Sequence, residues 1–180
     1  MLALLAGTAR ADDTSAAHNK LGFRIAFGTL EVTGRESHTF SLGLQLEHPV
    51  WSSVRVVGEY ELVWLGEAES MSPSTEGFPG SGHRMHAGLR TELMSKTVST
   101  VRFYLDGEVG GGIGVASDDV MGVQVLPHAF LGVRGGYEFL WGKNKPHSSR
   151  TFEAELIARA FRMPDGGRSV LFGIGMLWGD

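Results

Sequence analysis

The sequence has no cysteine, no excess of basic residues and no long hydrophobic run. Without cysteine the chain can form neither a disulfide framework nor a thiolate metal site. The formal net charge of −4 gives no basic surface of the kind that binds nucleic acid. No stretch approaches the roughly 18 consecutive apolar residues that a membrane-spanning helix requires.

Glycine, in contrast, is abundant, with 26 of 180 residues, about twice the average usage of about 7%. Each glycine inside a helix costs about 1 kcal/mol relative to alanine, so this composition opposes long helices. The length fits a single domain. Hydrophobic residues make up 42% of the chain and charged residues 20%, which excludes a disordered chain.

The amino terminus resembles the end of a secretory signal peptide. Residues 1–7 are mostly apolar, and Ala9-Arg10-Ala11 before Asp12 resembles an A-x-A cleavage site. We therefore expect residues 1–11 to be a signal-peptide remnant, residues 12–20 a flexible segment and residues 21–180 the folded domain. An alanine-rich terminus without a targeting role is the alternative.

From Leu21 onward apolar and polar residues alternate with a period of two in eight segments, which predicts eight β-strands. Residues 33–36 and 164–167 are predicted tight turns, and residues 67–82, rich in Ser, Pro and Gly, a long surface loop. Pro127 removes a ladder donor, so we expect it at a bulge or at the start of the sixth strand.

One face of the segments is apolar and free of charge, whereas the other combines charges with glycine. The charged set comprises Arg24, Glu47, Arg55, Glu59, Glu61, Arg84, Arg90, Glu92, Arg102, Asp106, Glu108, Arg134, Glu138, Glu153, Glu155 and Arg159. Arginine supplies all its cations, which suits bidentate pairing with carboxylates in a narrow lumen. An uncharged outer face is expected in a bilayer, where a mid-plane Arg or Lys costs roughly 2–4 kcal/mol.

Strand length and aromatic placement also favour a membrane barrel. Several alternating runs reach the roughly 9–11 residues that a tilted transmembrane strand needs. If the strands run up and down, one rim gathers Trp51, Phe103, Tyr137, Phe139, Trp141, Phe152 and Trp178, and the other Phe40, Tyr60 and Trp64. We predict an all-β, eight-stranded, antiparallel up-and-down transmembrane barrel with a polar, side-chain-filled interior. A soluble lipocalin-like lipid carrier, with the apolar face inside, is the alternative.

Over residues 21–180 this pattern resembles the small eight-stranded outer-membrane barrels of Gram-negative bacteria, the group containing outer membrane proteins A and X. The resemblance implies an outer-membrane location, an extracellular 67–82 loop, and contact with outer-membrane lipid, lipopolysaccharide and the barrel-assembly machinery. Family members commonly end in an aromatic residue that this machinery recognises, whereas here Gly179 and Asp180 follow Trp178.

We expect a monomer without cofactor or metal, with a structural, adhesive or surface-interaction role through its extracellular loops. Eight strands leave an interior just large enough for side chains, which opposes a wide porin-like channel. His83 and His86 are three residues apart on a strand, so they face opposite sides and cannot share a metal. We expect His83 to end the long loop, and His86 and His128 to point inward.

Some barrels of this size are lipid A-modifying enzymes, and the deacylase type uses a His-x-Ser pair with a carboxylate. The corresponding residues here are His147 as base, Ser149 as nucleophile and Glu153 as the group that orients the base. Two features oppose catalysis: residues 142–150 form a turn on the predicted periplasmic side, and Glu153 is predicted to point inward. A lipid A-modifying enzyme remains the alternative function.

Overall fold

Eight antiparallel strands form one closed barrel in the computed structural model, which describes residues 18–32, 34–51, 53–67, 80–118, 122–141 and 150–179. The strands are β1 (Lys20–Val32), β2 (Arg35–Trp51), β3 (Val54–Glu67), β4 (Gly80–Val98), β5 (Val101–Asp118), β6 (Gly122–Trp141), β7 (Arg150–Arg162) and β8 (Arg168–Gly179). Each strand pairs with its neighbours in sequence, and β1 closes the ring against β8. Within the described ranges no helix is long and apolar enough to cross a membrane. The predicted fold is confirmed.

The two predicted faces are also confirmed. Outward-facing apolar side chains such as Leu44, Leu131 and Leu156 are 62%, 66% and 68% exposed, respectively. Inward-facing charged side chains such as Arg134 and Glu61 are completely buried. The alternative of a soluble lipocalin-like carrier is wrong, because such a carrier would place the apolar face inside.

Glycines on the inner face provide room for large neighbours. A Cβ added to Gly110 would lie 2.6 Å from the ring of Phe130, and one added to Gly112 would collide with the backbone of Met85 and His86. The glycine-rich run of β5 is therefore a packing feature, because it leaves room for the backbone of β4 and for the Phe130 ring of β6.

Outward-facing aromatic rings form two belts. The terminal belt consists of Tyr137, Phe139, Phe152, Trp178 and Phe23, with successive ring centroids 5.3 to 6.4 Å apart. The loop-side belt consists of Phe27, Phe40 and Trp64, with centroids 5.0 and 5.4 Å apart. Aromatic girdles at both interfaces are characteristic of transmembrane barrels. The sequence predicted both girdles but did not place Phe23 or Phe27 in them. Tyr60, which was predicted for the loop-side rim, lies in mid-strand beside Leu44 and Met85.

Two turns lie where the sequence predicts them. Gly34, between β1 and β2, has a positive φ of 77°, and Gly166, between β7 and β8, has a φ of 91°. Glycine adopts this conformation without the steric cost that a Cβ imposes. The β7–β8 turn is closed by the Met163 N–H, which donates to the Gly167 carbonyl at 2.9 Å.

The predictions for the end of the long loop, for His83 and for Pro127 need correction. The long loop ends before Gly80, not at Gly82, so His83 lies within β4 and does not end the loop. Pro127 is neither a bulge nor a strand start: it lies inside β6 and pairs in regular register with Ile113. Because β6 pairs with β7 only from Ala129 onward, the edge of β6 near Pro127 has no partner strand, and the missing N–H is tolerated there.

The ordered barrel begins one residue before the predicted boundary. Lys20 opens β1, and its neighbours contact the rim: the His18 carbonyl accepts from Arg55 at 3.0 Å, and Asn19 Oδ1 lies 2.7 Å from His48 Nδ1. Residues 1–17, which include the predicted signal-peptide remnant, lie outside the described residues. Most of the long loop, residues 68–79, also does.

Candidate functional site: the barrel interior and its loop-side rim

A continuous network of ion pairs fills the middle of the barrel. Charges alternate in sign along its course, which runs through Arg84, Glu61, Arg24, Glu59, Arg159, Glu108, Arg134, Glu47, Arg90, Glu153, Lys20, Glu138 and Arg102. These residues come from seven of the eight strands, and the described inner face of β8 carries uncharged residues: Ser169, Leu171, Leu177 and glycines. The network therefore ties the barrel walls together across the lumen.

Arg90 is the most connected cation of this network. Its guanidinium contacts Glu47, Asp106 and Glu153, each at 2.5 Å. The planar fork of arginine, with five N–H donors, can serve several carboxylates at once, as the sequence analysis anticipated. At the other side of Glu153, the Lys20 ammonium lies 2.6 Å away and also contacts Glu138 at 2.6 Å.

Mutual compensation is what makes such a buried network tolerable. Removing a charge from water costs several kcal/mol, and a buried charge left without its partner is strongly destabilising. In the lumen Glu155 lies 3.0 Å from Arg134, and Glu108 lies 2.6 Å from Arg159. The arrangement holds the walls in one register and fills the space that a conduit would need.

The loop-side end of the interior is apolar. A cluster of Leu30, Val32, Leu65, Leu126 and Met163 closes this end. A second cluster joins Ala26, Phe130, Phe161 and Leu171 just below it. The predicted polar interior is thus confirmed for the middle of the barrel. The two clusters together form an apolar plug at the loop-side end, which was not predicted.

Aromatic rings connect the apolar plug to the charged network. The Arg84 guanidinium lies 4.4 Å from the centroid of Phe161, and that of Arg159 lies 4.9 Å from the centroid of Phe130. Cation–π contacts of this kind are stronger where water is excluded. These contacts give the guanidinium groups a favourable electrostatic interaction where they pack against apolar residues.

A small cavity of about 40 Å³ lies within the plug. Its lining includes Leu30, Leu65, Leu126, His128 and Met163. Holding one water molecule requires roughly 10–15 Å³ of cavity volume. This cavity therefore has room for only a few water molecules. Among the described residues, this cavity therefore offers little space for a substrate.

The predicted catalytic residues are not assembled among the described residues. His147 and Ser149 lie in residues 142–149, outside that part of the chain. Glu153 lies on β7 and points inward, as predicted, with Lys20 Nζ at 2.6 Å and Arg90 Nη2 at 2.5 Å. Its carboxylate therefore serves the ion-pair network.

The histidines of β4 lie on opposite faces, as predicted. His83 faces outward, and its Nδ1 lies 2.6 Å from the Tyr60 hydroxyl. His86 faces the lumen, 3.0 Å from Glu59, and stacks edge-on against His128 and Phe130. In the parts of the chain that the structure describes, no three His, Asp or Glu side chains are placed to hold a metal ion.

One charged feature of the outer surface does not follow from the sequence-based predictions. Arg162 ends β7 and Arg168 begins β8, and the two are register partners that face outward near the loop-side rim. They lie on either side of the predicted turn at residues 164–167. Continuing the two-residue period of both strands to Arg162 and Arg168 would have placed them on the apolar face.

The fold and its two faces define a class of protein: an eight-stranded transmembrane β-barrel of the outer-membrane type. No protein-family model and no curated protein matches the amino-acid sequence. Among solved structures, Neisserial surface protein A (NspA) is similar, with a TM-score of 0.57, 14% sequence identity, and coverage of 88% of this chain and 95% of that one. Ail, the attachment invasion locus protein of Yersinia pestis, gives a TM-score of 0.46 at 15% identity, covering 91% and 99%. The similarity to NspA confirms the predicted barrel group at the level of the fold.

Proposed function

We propose that this chain is a monomeric outer-membrane protein that acts in surface interaction, with the barrel as an anchor and the β3–β4 loop as the contact segment. One observation carries the proposal: the lumen is filled by buried, mutually paired charges and closed by an apolar plug. Because paired charges and the plug fill the lumen over the described residues, we assign the function to the rims and the outer surface.

The β3–β4 loop is the main candidate for the contact. Twelve residues, 68–79, separate β3 from β4, whereas three residues, 119–121, separate β5 from β6 at the same rim. The segment contains Glu69 and Glu76 and no Lys or Arg. Its charge favours a partner surface that is neutral or basic.

Membrane lipid, lipopolysaccharide and the barrel-assembly machinery are the other partners that we propose. The apolar outer face needs a bilayer, and its insertion requires a folding pathway for a strand-based membrane protein. Lipopolysaccharide would contact the loop-side rim if that rim faces the outside of the cell.

Replacing residues 68–79 by Asn-Gly tests the proposal. We expect the variant to assemble normally and adhesion to fall at least several-fold. Leu65 pairs with Gly80, so the shortened connection is Gly66-Glu67-Asn-Gly, and four-residue loops are common in β-hairpins. The measurement is cell settling and adherence to polystyrene by a Gram-negative host that expresses either form. A variant with the residues of 68–79 in scrambled order serves as the matched control for loop length.

Unchanged adhesion of a correctly assembled loop variant would contradict the proposed role of the loop. Lipid A extracted from the same cells provides a second readout. A change in its acylation that depends on the chain would contradict a purely interactive role and favour the lipid A-modifying alternative.

A further inference from the structure

Two arginines interrupt the apolar outer surface at one place. Arg162 and Arg168 are directly opposed across the β7–β8 pair, and both side chains are exposed. Directly opposed residues of an antiparallel pair have Cβ atoms about 4.5–5.5 Å apart, and like charges at that position are destabilising. The position therefore favours an anion that both guanidinium groups can reach.

The protein supplies part of that negative charge. Arg168 Nε donates to Glu31 Oε2 at 2.6 Å, and the side chains are 73% and 35% exposed. Arg162 forms no ion pair with any residue that the structure describes. Glu36, the register partner of Glu31, adds a second carboxylate on the β1–β2 side of the cluster. Arg162 lies at the other end of this row, where an external anion can reach it.

An apolar groove of about 480 Å³ begins at the two arginines. Ala129 and Ala160 lie along it, and Leu131 and Val170 are among the larger side chains that line it. Ala129 is the register partner of Arg162, and Ala160 pairs with both Leu131 and Val170. Small residues next to large ones thus leave an elongated space on the lipid-facing surface.

The arginines lie at the depth expected for lipid headgroups. Phe172 pairs with Phe27 of the loop-side belt, and Arg168 lies four residues farther along β8 toward the loop-side rim. Aromatic belts mark the level of the headgroups in membrane proteins. Val170 and Ala160, which line the groove, lie two residues nearer the bilayer centre than Arg168 and Arg162. A charged head on the arginines and an apolar chain beside it would therefore fit in the same order as in a lipid.

We propose that Arg162 and Arg168 bind the phosphate group of a lipid in the surrounding leaflet, with one acyl chain in the groove over Ala129 and Ala160. Arginine suits this role because its fork binds phosphate oxygens in a bidentate manner. The inference rests on the proposed location of the chain in a membrane. It adds a specific lipid site to the general lipid contact of the barrel.

Native mass spectrometry of the purified chain in an uncharged detergent tests the site with three probes. Dimyristoyl phosphatidate has both a phosphate group and acyl chains. Dimyristoylglycerol has acyl chains but no phosphate, and inorganic phosphate has no acyl chain. We expect one phosphatidate molecule to bind each barrel at least 10-fold more tightly than either other probe. Comparable binding of inorganic phosphate would overturn the lipid assignment.

Four variants make the test specific. Arg162→Ala with Arg168→Ala should weaken phosphatidate binding at least 10-fold, and Ala160→Leu should weaken it several-fold by filling the groove. Lys96→Ala removes an exposed cation of β4 at the opposite rim, and Ala154→Leu enlarges an outward-facing residue at the terminal belt; both should leave binding unchanged.

Two results would contradict the site: equal binding by the double arginine variant, or equal losses in Lys96→Ala and the double variant. A separate measurement tests the membrane location itself, namely whether the chain fractionates with membranes. If it does and phosphatidate binding is unaffected by the variants, the lipid site fails while the proposed function stands.

Discussion

Leu156→Arg is expected to prevent stable assembly of the barrel in a bilayer. Leu156 is 68% exposed on the outer face, and it lies on β7 between Phe152 of the terminal belt and Arg162. An arginine at the bilayer mid-plane on the lipid side costs roughly 2–4 kcal/mol, a large part of a total stability of about 5–15 kcal/mol. Urea unfolding in phospholipid vesicles should show a lower midpoint, and cells should lose the chain from the membrane fraction.

Leu44→Arg should have the same effect from the other side of the barrel. Leu44 is 62% exposed and pairs with Phe23 and Tyr60. Val123→Arg is the matched control, because Val123 is 71% exposed but lies one residue from the loop-side start of β6. The cost of arginine falls to about 0–1 kcal/mol near the interface. Normal assembly of both leucine variants would contradict the assignment of the lipid-facing surface.

Arg134→Met is expected to destabilise the barrel by about 3–5 kcal/mol, the cost of leaving buried charges without their partner. The Arg134 side chain is completely buried and contacts Glu47, Glu108 and Glu155. Methionine keeps much of the volume but none of the charge, so the loss reports electrostatics more than packing. The measurement is the free energy of unfolding of the chain in detergent micelles. Unfolding by urea is monitored by tryptophan fluorescence.

A double variant separates the electrostatic contribution of Arg134 from its packing contribution. Arg134→Met combined with Glu155→Gln removes one charge of each sign, and we expect it to be more stable than Arg134→Met alone. Lys96→Ala, at an exposed rim position, should change stability by no more than about 0.5 kcal/mol. If Arg134→Met were as stable as Lys96→Ala, the ion pairs would not hold the barrel together.

The strands and their faces could be predicted because a bilayer imposes a simple rule on sequence. Each strand has one side in lipid and one in the lumen, so a two-residue period must persist over its full length. β3 illustrates this, since Tyr60 and Trp64 point outward while Glu59 and Glu61 are buried. The aromatic belts followed from the same parity argument.

The pairings inside the lumen could not be predicted, because a two-residue period fixes faces but not partners. Lys20 meets Glu138 across 118 residues of sequence and Glu153 across 133. These contacts depend on the register of every strand between them and on how the ring closes. The charged face was therefore predictable except for Lys20, which precedes the predicted start of the barrel and is a lumen cation that is not arginine. The order of charges in the network was not predictable.

The rim features were missed for a related reason. Where each strand stops determines which residues form the apolar plug and which remain outside, and alternation alone does not mark those ends. Leu126 and Met163 meet in the plug because β6 extends beyond the last residue of β7. The same offset leaves Pro127 in a strand with an unpaired edge.

The most direct test of the transmembrane barrel is the migration of the detergent-extracted chain on SDS gels with and without boiling. A closed barrel with an apolar exterior should be found in the membrane fraction, and the unboiled sample should move faster than the boiled one because the folded form stays compact. A chain found only in the soluble fraction, with no difference on boiling, would contradict the account, since its apolar faces would then have to line an interior.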